Sequence, residues 1–192
     1  MKQKAEKVKI QNIIDMAVSF SAMARVFEKG SAEKIKERLN ESIVDFFTLN
    51  SKEEYYEKHE NFCRWFTNNI KTAEREKNNK IIETSQYASW GQAAKIIDIV
   101  LKVCIYYCNL PSVEYSSKVI PWINGAIDTP IMKDLRERFE SQMTVQINTI
   151  ESIDKAKYEE LQKIIREDIK TSFNDKIFPV QYDDIKWREL NR

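Results

Sequence analysis

Four polar side chains interrupt an otherwise apolar segment near the middle of the chain: Gln92, Lys95, Asp98 and Lys102. They follow one another at intervals of three, three and four residues, so on an α-helix they form one narrow polar stripe. Lys95 and Lys102 both lie at helical pairing distance from Asp98, a spacing that suits ion pairs or proton transfer between an amine and a carboxylate. The stripe therefore indicates either a structural network or a site that binds ligands or moves protons.

A second polar group follows in the irregular stretch from Ile120 to Asp128. We predict that Asp128 or Thr129 caps a helix there, with Pro130 at the first helical position. Loops of this kind, held between rigid elements, often carry binding sites. For the stripe itself, the spacing of its four residues favours a solvent-exposed seam along an otherwise buried helix. The stripe can also form one wall of a cleft that Trp122 and Asp128 face, or a buried ion-pair network that sets the helix register.

Two segments resemble a pattern found in small helical prokaryotic proteins: Tyr87-Ala-Ser-Trp-Gly-Gln-Ala-Ala-Lys, continuing to Lys102, and Trp122-Ile-Asn-Gly-Ala-Ile-Asp-Thr-Pro-Ile-Met. The resemblance covers about a quarter of the chain and implies no particular activity. It does imply that the polar residues of both segments, together with one glycine, belong to one spatial unit: Gly91, Gln92, Lys95, Asp98, Lys102 and Asp128.

Several enzyme classes lack the residues that they need. His59 is the single histidine, whereas zinc hydrolases and two-histidine metal sites need more ligands, and a histidine-dependent triad needs a dedicated partner. With 3 glycines in total, the chain has no phosphate-binding loop and no dinucleotide fingerprint. We expect no metal and no cofactor. His59 lies in the polar segment Glu57-Lys58-His59-Glu60, which predicts a surface position on a helix.

Metal-independent ribonucleases of the HEPN superfamily are small and helical, and this chain is similar to them in those two respects. Their signature places an arginine a few residues before a histidine on one helix. Here the order is reversed, since His59 precedes Arg64 and no arginine stands before the histidine at that spacing. The catalytic motif is absent, and the comparison leaves open only a non-catalytic relative.

Hydrophobic periodicity predicts the elements that must position these groups. Hydrophobic residues make up 42% of the chain, while 3 glycines and 4 prolines leave little material for tight turns. We predict an all-α, single-domain bundle of about six to seven helices around a buried central helix, at about 89–108. Residues 1–178 are expected to form the helical domain, and 179–192 a short C-terminal helical appendage, packed on it or exposed. The other predicted helices are 4–28, 32–49, 52–76, 129–139, 154–173 and 183–190.

Charge and cysteine content bear on partners and location. The chain carries 31 basic and 30 acidic residues, a balance that does not favour nucleic-acid binding, although the N-terminal helix is mildly basic. Three cysteines without framework spacing fit a reducing compartment. We find no apolar leader, and no apolar run is long enough to cross a bilayer, so we expect a cytoplasmic protein without membrane contact.

Three functional hypotheses follow. The leading one is a non-catalytic binding or regulatory module that acts through a protein partner, a homodimer, or a small ligand between Lys95 and Asp128. The second is a nucleic-acid-associated protein of the defence or toxin–antitoxin type. The third is a metal-independent enzyme in which Lys95, Asp98 and Asp128 perform acid–base chemistry.

Overall fold

The computed structural model describes residues 2–21, 23–77, 80–143 and 149–191. The chain is 74% helical and forms a single all-α domain, which confirms the predicted fold class. Eight α-helices lie within the described ranges: α1 (Lys2–Phe20), α2 (Ser31–Ser42), α3 (Lys52–Asn69), α4 (Trp90–Leu101), α5 (Val113–Val119), α6 (Thr129–Phe139), α7 (Lys155–Phe173) and α8 (Pro179–Leu190). None of these helices has both the length and the apolar character needed to cross a membrane.

Side-chain caps start the helices that carry the polar residues of interest. Ser51 accepts a hydrogen bond from the backbone N–H of Glu54 at the start of α3. Ser89 and Gln92 form a reciprocal capping box at the start of α4, and Asp128 caps α6. Each cap satisfies a backbone N–H that has no partner inside its helix, so these short polar motifs determine where the helices begin.

Helix α4 is buried along most of its length, since ten of its twelve residues are buried. It packs against α1, α3 and α7. Its first turn approaches another segment closely: a Cβ on Gly91 would stand 2.6 Å from the carbonyl oxygen of Ile150, so only glycine fits there. After Leu101 the chain continues as a π-helix over Lys102–Tyr107, a geometry that is rare and frequent at functional sites.

The region after α3 departs from the prediction of a helix over 52–76. Helix α3 ends at Asn69, and an antiparallel hairpin follows, with β1 at Arg75–Lys77 and β2 at Lys80–Glu83. Ile70 is buried in an extended conformation and its carbonyl accepts a hydrogen bond from the N–H of Ala88. Pairing with a distant segment therefore overrides the local helical preference. The first predicted helix is also too long, since α1 ends at Phe20 rather than at residue 28.

Helix α8 begins at Pro179, four residues earlier than predicted, and packs on α6 and α7. Its buried Tyr182 donates a hydrogen bond from its hydroxyl to Asp168 on α7 at 2.7 Å. Arg138 on α6 contacts the same carboxylate at 2.7 Å. One buried carboxylate thus joins three helices and fixes the position of α8, whose next turn carries residues of the candidate site.

Candidate functional site

The four polar residues predicted to form one stripe on α4 have different surroundings. The side chain of Gln92 is buried and completes the cap of its own helix by accepting the N–H of Ser89. Asp98 is 0% exposed, and within the described ranges it forms no ion pair with Lys95 or Lys102. The stripe is therefore not a continuous exposed seam, and the ion pairs suggested by its spacing do not form.

Lys102 belongs to a buried ion-pair network with α8. Its Nζ lies 2.9 and 3.0 Å from the two carboxylate oxygens of Asp183 and 3.0 Å from Oδ1 of Asp184. The hydroxyl of Tyr107 donates to Asp184 at 2.6 Å, and the N–H of Ala126 donates to Asp183 at 2.9 Å. Burial alone would lower the pKa of Lys102, but the two carboxylates outweigh it and raise the pKa. The lysine is therefore cationic and already has protein counter-ions, although burial raises the pKa of Asp183 to about 7.

Lys95 and Lys102 both open onto a cleft of about 590 Å³ between the end of α1, α4, α6 and α8. We call this the Lys95 cleft. Its polar lining includes Asp128 and the ion-pair network described above, and its apolar lining is contributed by the side chains of Phe20, Ile99, Ile131 and Trp187. A cavity of this volume, mostly apolar and with a few charged groups, has the usual properties of a small-ligand site.

Lys95 differs from the other lysine of the cleft because it has no hydrogen-bond or ion-pair partner among the described residues. It is half-buried, and burial lowers its pKa although Asp128 and Glu151 act in the opposite direction. An ammonium that is partly desolvated and forms no ion pair with these carboxylates carries a free-energy cost that they offset only in part. An anion bound in the cleft would offset that cost.

Asp128 and Trp122, predicted together, lie in different places. Asp128 lines the Lys95 cleft, and its Oδ1 accepts the N–H of Ile131 as the cap of α6. Trp122 does not line this cleft: its ring lies 5.5 Å below the ammonium of Lys118. The cleft thus brings together three of the six sequence-predicted residues, Lys95, Lys102 and Asp128. Gln92, Asp98 and Trp122 lie outside its lining.

His59 was expected on the surface, and this prediction is wrong because the residue is only 3% exposed. Its Nε2 lies 2.9 Å from Oδ1 of Asp98, and the hydroxyl of Tyr158 donates to Oδ2 of the same carboxylate at 2.7 Å. The polar neighbours of His59 in sequence suggest an exposed position. However, His59 lies four residues after Tyr55 and three before Phe62, both buried, so helical phase places it on the apolar face.

Cys63, His59 and Asp98 lie in the order of a nucleophile, a base and an orienting carboxylate. The sulfur is 3.8 Å from Nδ1 of His59, whose other nitrogen contacts Asp98. Catalysis by this thiol needs a substrate to reach it, but Cys63 is 0% exposed and burial raises the pKa of its thiol. The array therefore has the geometry of a triad without the access of one, and it acts as a structural contact between α3 and α4.

Burial by itself lowers the pKa of His59. The sulfur of Cys63 and the carboxylate of Asp98 outweigh burial and raise the pKa to about 10. His59 and Asp98 thus form a buried ion pair at neutral pH. In the part of the chain that the structure describes, no cluster of histidine, cysteine and carboxylate side chains is arranged to hold a metal ion.

Comparisons of the chain with protein-family models, with curated proteins and with solved structures gave no match.

Proposed function

We propose that the protein is a non-catalytic binding module whose Lys95 cleft takes a small amphipathic organic anion, such as a medium-chain carboxylate. The observation that carries the proposal is the half-buried ammonium of Lys95, which has no hydrogen-bond or ion-pair partner among the described residues and faces an apolar-walled cleft. A ligand carboxylate would supply the missing charge. The rest of such a ligand would cover apolar surface.

The rim of the cleft supports an apolar ligand body. Phe20 is 69% exposed and Trp187 is 53% exposed, and both line the cleft. Two large exposed aromatic side chains that line one cavity offer apolar surface that a ligand can cover. Covering them would contribute about 25 cal/mol for each Å² of apolar surface removed from water.

The charges of the cleft favour an anion over a cation. Asp183 and Asp184 already accept hydrogen bonds from Lys102, and one oxygen of Asp128 accepts the cap of α6. The basic groups Lys95 and Arg188 have no ion-pair partner in the described ranges. The carboxylates are therefore largely engaged by the protein, while two cationic groups remain available to a ligand.

Isothermal titration calorimetry with octanoate, octanol and octylamine tests this proposal. We expect octanoate to bind most tightly and Lys95→Met to weaken it about 10- to 100-fold, because a hydrogen bond to a charged group is worth about 1.5–3 kcal/mol. Lys133→Met is the matched control, since Lys133 is exposed on α6 and lies outside the cleft. Equal binding of octanol and octanoate, or equal loss in both variants, would contradict the proposal.

Self-association is the competing explanation for the exposed rim, because a second copy could cover Phe20 and Trp187 instead. Sedimentation velocity separates the two. A monomer that binds octanoate supports the small ligand. A concentration-dependent dimer that Phe20→Ser abolishes, together with no octanoate binding, would replace it with the homodimer.

A further inference from the structure

A second cleft, of about 470 Å³, lies between α3 and α7 at the start of α4. We call it the Arg166 cleft. It does not share a lining residue with the Lys95 cleft. Its lining includes three large aromatic side chains and three basic ones: Tyr56, Trp90, Tyr158, Lys155, Lys163 and Arg166.

Arg166 is held in place by neutral groups. One of its terminal nitrogens donates to Oδ1 of Asn124 at 2.9 Å, to the carbonyl oxygen of Trp122 at 3.4 Å and to the hydroxyl of Tyr56 at 3.5 Å. No carboxylate of the described residues lies within 4.0 Å of the guanidinium, and its other N–H groups have no protein acceptor there. The side chain is therefore positioned, but its charge and most of its donors remain unused.

The acidic residues of the cleft do not supply the missing counter-ion. Lys155 lies 2.7 Å from Glu60 and 3.7 Å from Glu159. Glu60 also accepts from Arg64 at 2.6 Å. These acids are thus paired with other cations, whereas Lys163 on the exposed side of α7 has no ion-pair partner in the described ranges. The cleft has an excess of unpaired positive charge.

The floor of the cleft is formed by Tyr158 and Gln162, which are held by ring stacking and hydrogen bonds. Tyr158 stacks on His59 with the ring planes 13° apart, and its hydroxyl accepts from Nδ2 of Asn124 at 3.0 Å. Gln162 donates to the carbonyl of Gly125 at 2.7 Å and accepts its N–H at 3.3 Å. A floor whose polar groups already have partners offers fixed aromatic surface to a ligand at little ordering cost.

We infer that the Arg166 cleft binds a planar aromatic anion, meaning a ring system that carries a carboxylate or a phosphate. The ring would pack against Tyr56 and Trp90, and the anionic group would accept hydrogen bonds from the guanidinium of Arg166. A guanidinium presents its donors in a planar fork that matches carboxylate and phosphate oxygens. Aromatic walls select a flat ligand, because stacked and edge-on ring contacts add to simple area burial. The inference does not depend on the function proposed for the Lys95 cleft.

The test is calorimetric titration of the full chain with two matched pairs, adenosine monophosphate against adenosine and 2-naphthoate against 2-naphthalenemethanol. We expect at least one anion to bind at least tenfold more tightly than its neutral partner. The anion that binds identifies phosphate or carboxylate as the recognised group. The titrations are repeated in the Lys95→Met chain, so that heat from the other cleft does not enter the comparison.

Two variants assign the binding to the cleft. Arg166→Gln should weaken binding of the anion at least tenfold, and Tyr56→Leu, at a position that is 40% exposed, should weaken it several-fold. Arg75→Gln is the control, because Arg75 pairs with Glu83 on the hairpin and lies outside the cleft. Neutral partners that bind as tightly as the anions, no binding at millimolar concentration, or unchanged affinity in both cleft variants would overturn the inference.

Discussion

Asp98→Asn should change how the stability of the protein depends on pH. Asp98 is 0% exposed, and its two oxygens are engaged by His59 at 2.9 Å and Tyr158 at 2.7 Å. Asparagine has nearly the same shape and can keep hydrogen bonds, but it removes the negative charge that opposes the effect of burial on His59. Burial raises the pKa of the Cys63 thiol, so the thiol carries no charge between pH 6.5 and 8.5 and cannot replace Asp98. In the variant, burial, the largest single influence, therefore prevails, and the pKa of His59 should fall below its ordinary value of 6.5.

The direction in which stability changes with pH follows from the pKa of His59, which is raised from 6.5 in the unfolded chain to about 10 in the fold. Below pH 6.5 both states hold the proton, and the stabilisation from the ion pair is fully present. As the pH rises above 6.5, the unfolded chain loses the proton while the folded protein keeps it. The free energy of unfolding should then fall by at most about 1.4 kcal/mol per pH unit, or about 2 kcal/mol between pH 6.5 and 8.5.

Guanidinium chloride unfolding at pH 6.5, 7.5 and 8.5 measures this effect. At pH 6.5 we expect Asp98→Asn to be less stable than the native chain by about 3–5 kcal/mol, because it leaves buried His59 without its charged partner. That difference should shrink by about 2 kcal/mol at pH 8.5, since only the native chain loses the His59 contribution. Other titrating groups are common to both proteins and cancel in the difference.

Asp175→Asn is the control for this experiment. Asp175 is exposed and has a φ of 56°, a conformation that asparagine tolerates well, so this change removes a charge without removing a buried partner. Its stability should follow the native chain at every pH. If Asp98→Asn also follows the native chain with a constant offset, His59 is not the titrating group and the argument for a buried ion pair is refuted.

Two further variants test the packing around α4. Gly91→Ala should lower the free energy of unfolding by about 1–3 kcal/mol, measured by thermal denaturation, because the new methyl would overlap the carbonyl of Ile150. Gly30→Ala is the comparison variant. Gly30 has open space around it but a φ of 89°, so its replacement introduces backbone strain without steric overlap. Lys102→Met should cost about 3–5 kcal/mol by leaving Asp183 buried and unpaired, and Lys102→Met combined with Asp183→Asn should cost less than the two single losses added together.

Local sequence predicts local structure well in this chain. The caps at Ser51 and Asp128 are satisfied within three residues, so the information that specifies them lies next to them. The partners of the polar stripe lie far away: Asp98 is 39 residues from His59, and Lys102 is 81 residues from Asp183. Periodicity shows which face of a helix a residue occupies but not which helix covers that face, so these pairs could not be predicted.

The hairpin after α3 shows the same limit. The segments on either side of the hairpin are held by backbone hydrogen bonds: the N–H of Thr72 donates to the carbonyl of Gln86, and the N–H of Ala73 donates to the carbonyl of Val26, 47 residues away. The charged residues there suit a helix end, a loop or an edge strand almost equally. A pairing across more than 40 residues decided the outcome, and no short window of sequence contains it.

The buried loop from residue 123 to 127 connects the two proposed sites and determines which residues can be used to test them. Its backbone lies away from solvent, so its polar groups need protein partners. Gln162, from the Arg166 cleft, binds both polar groups of Gly125, and Asp183, from the Lys95 cleft, accepts the N–H of Ala126. Replacing either side chain would disturb the loop and both clefts at once. Lys95 has no hydrogen-bond or ion-pair partner among the described residues, so its replacement removes a charge from one cleft without breaking a hydrogen bond or an ion pair there.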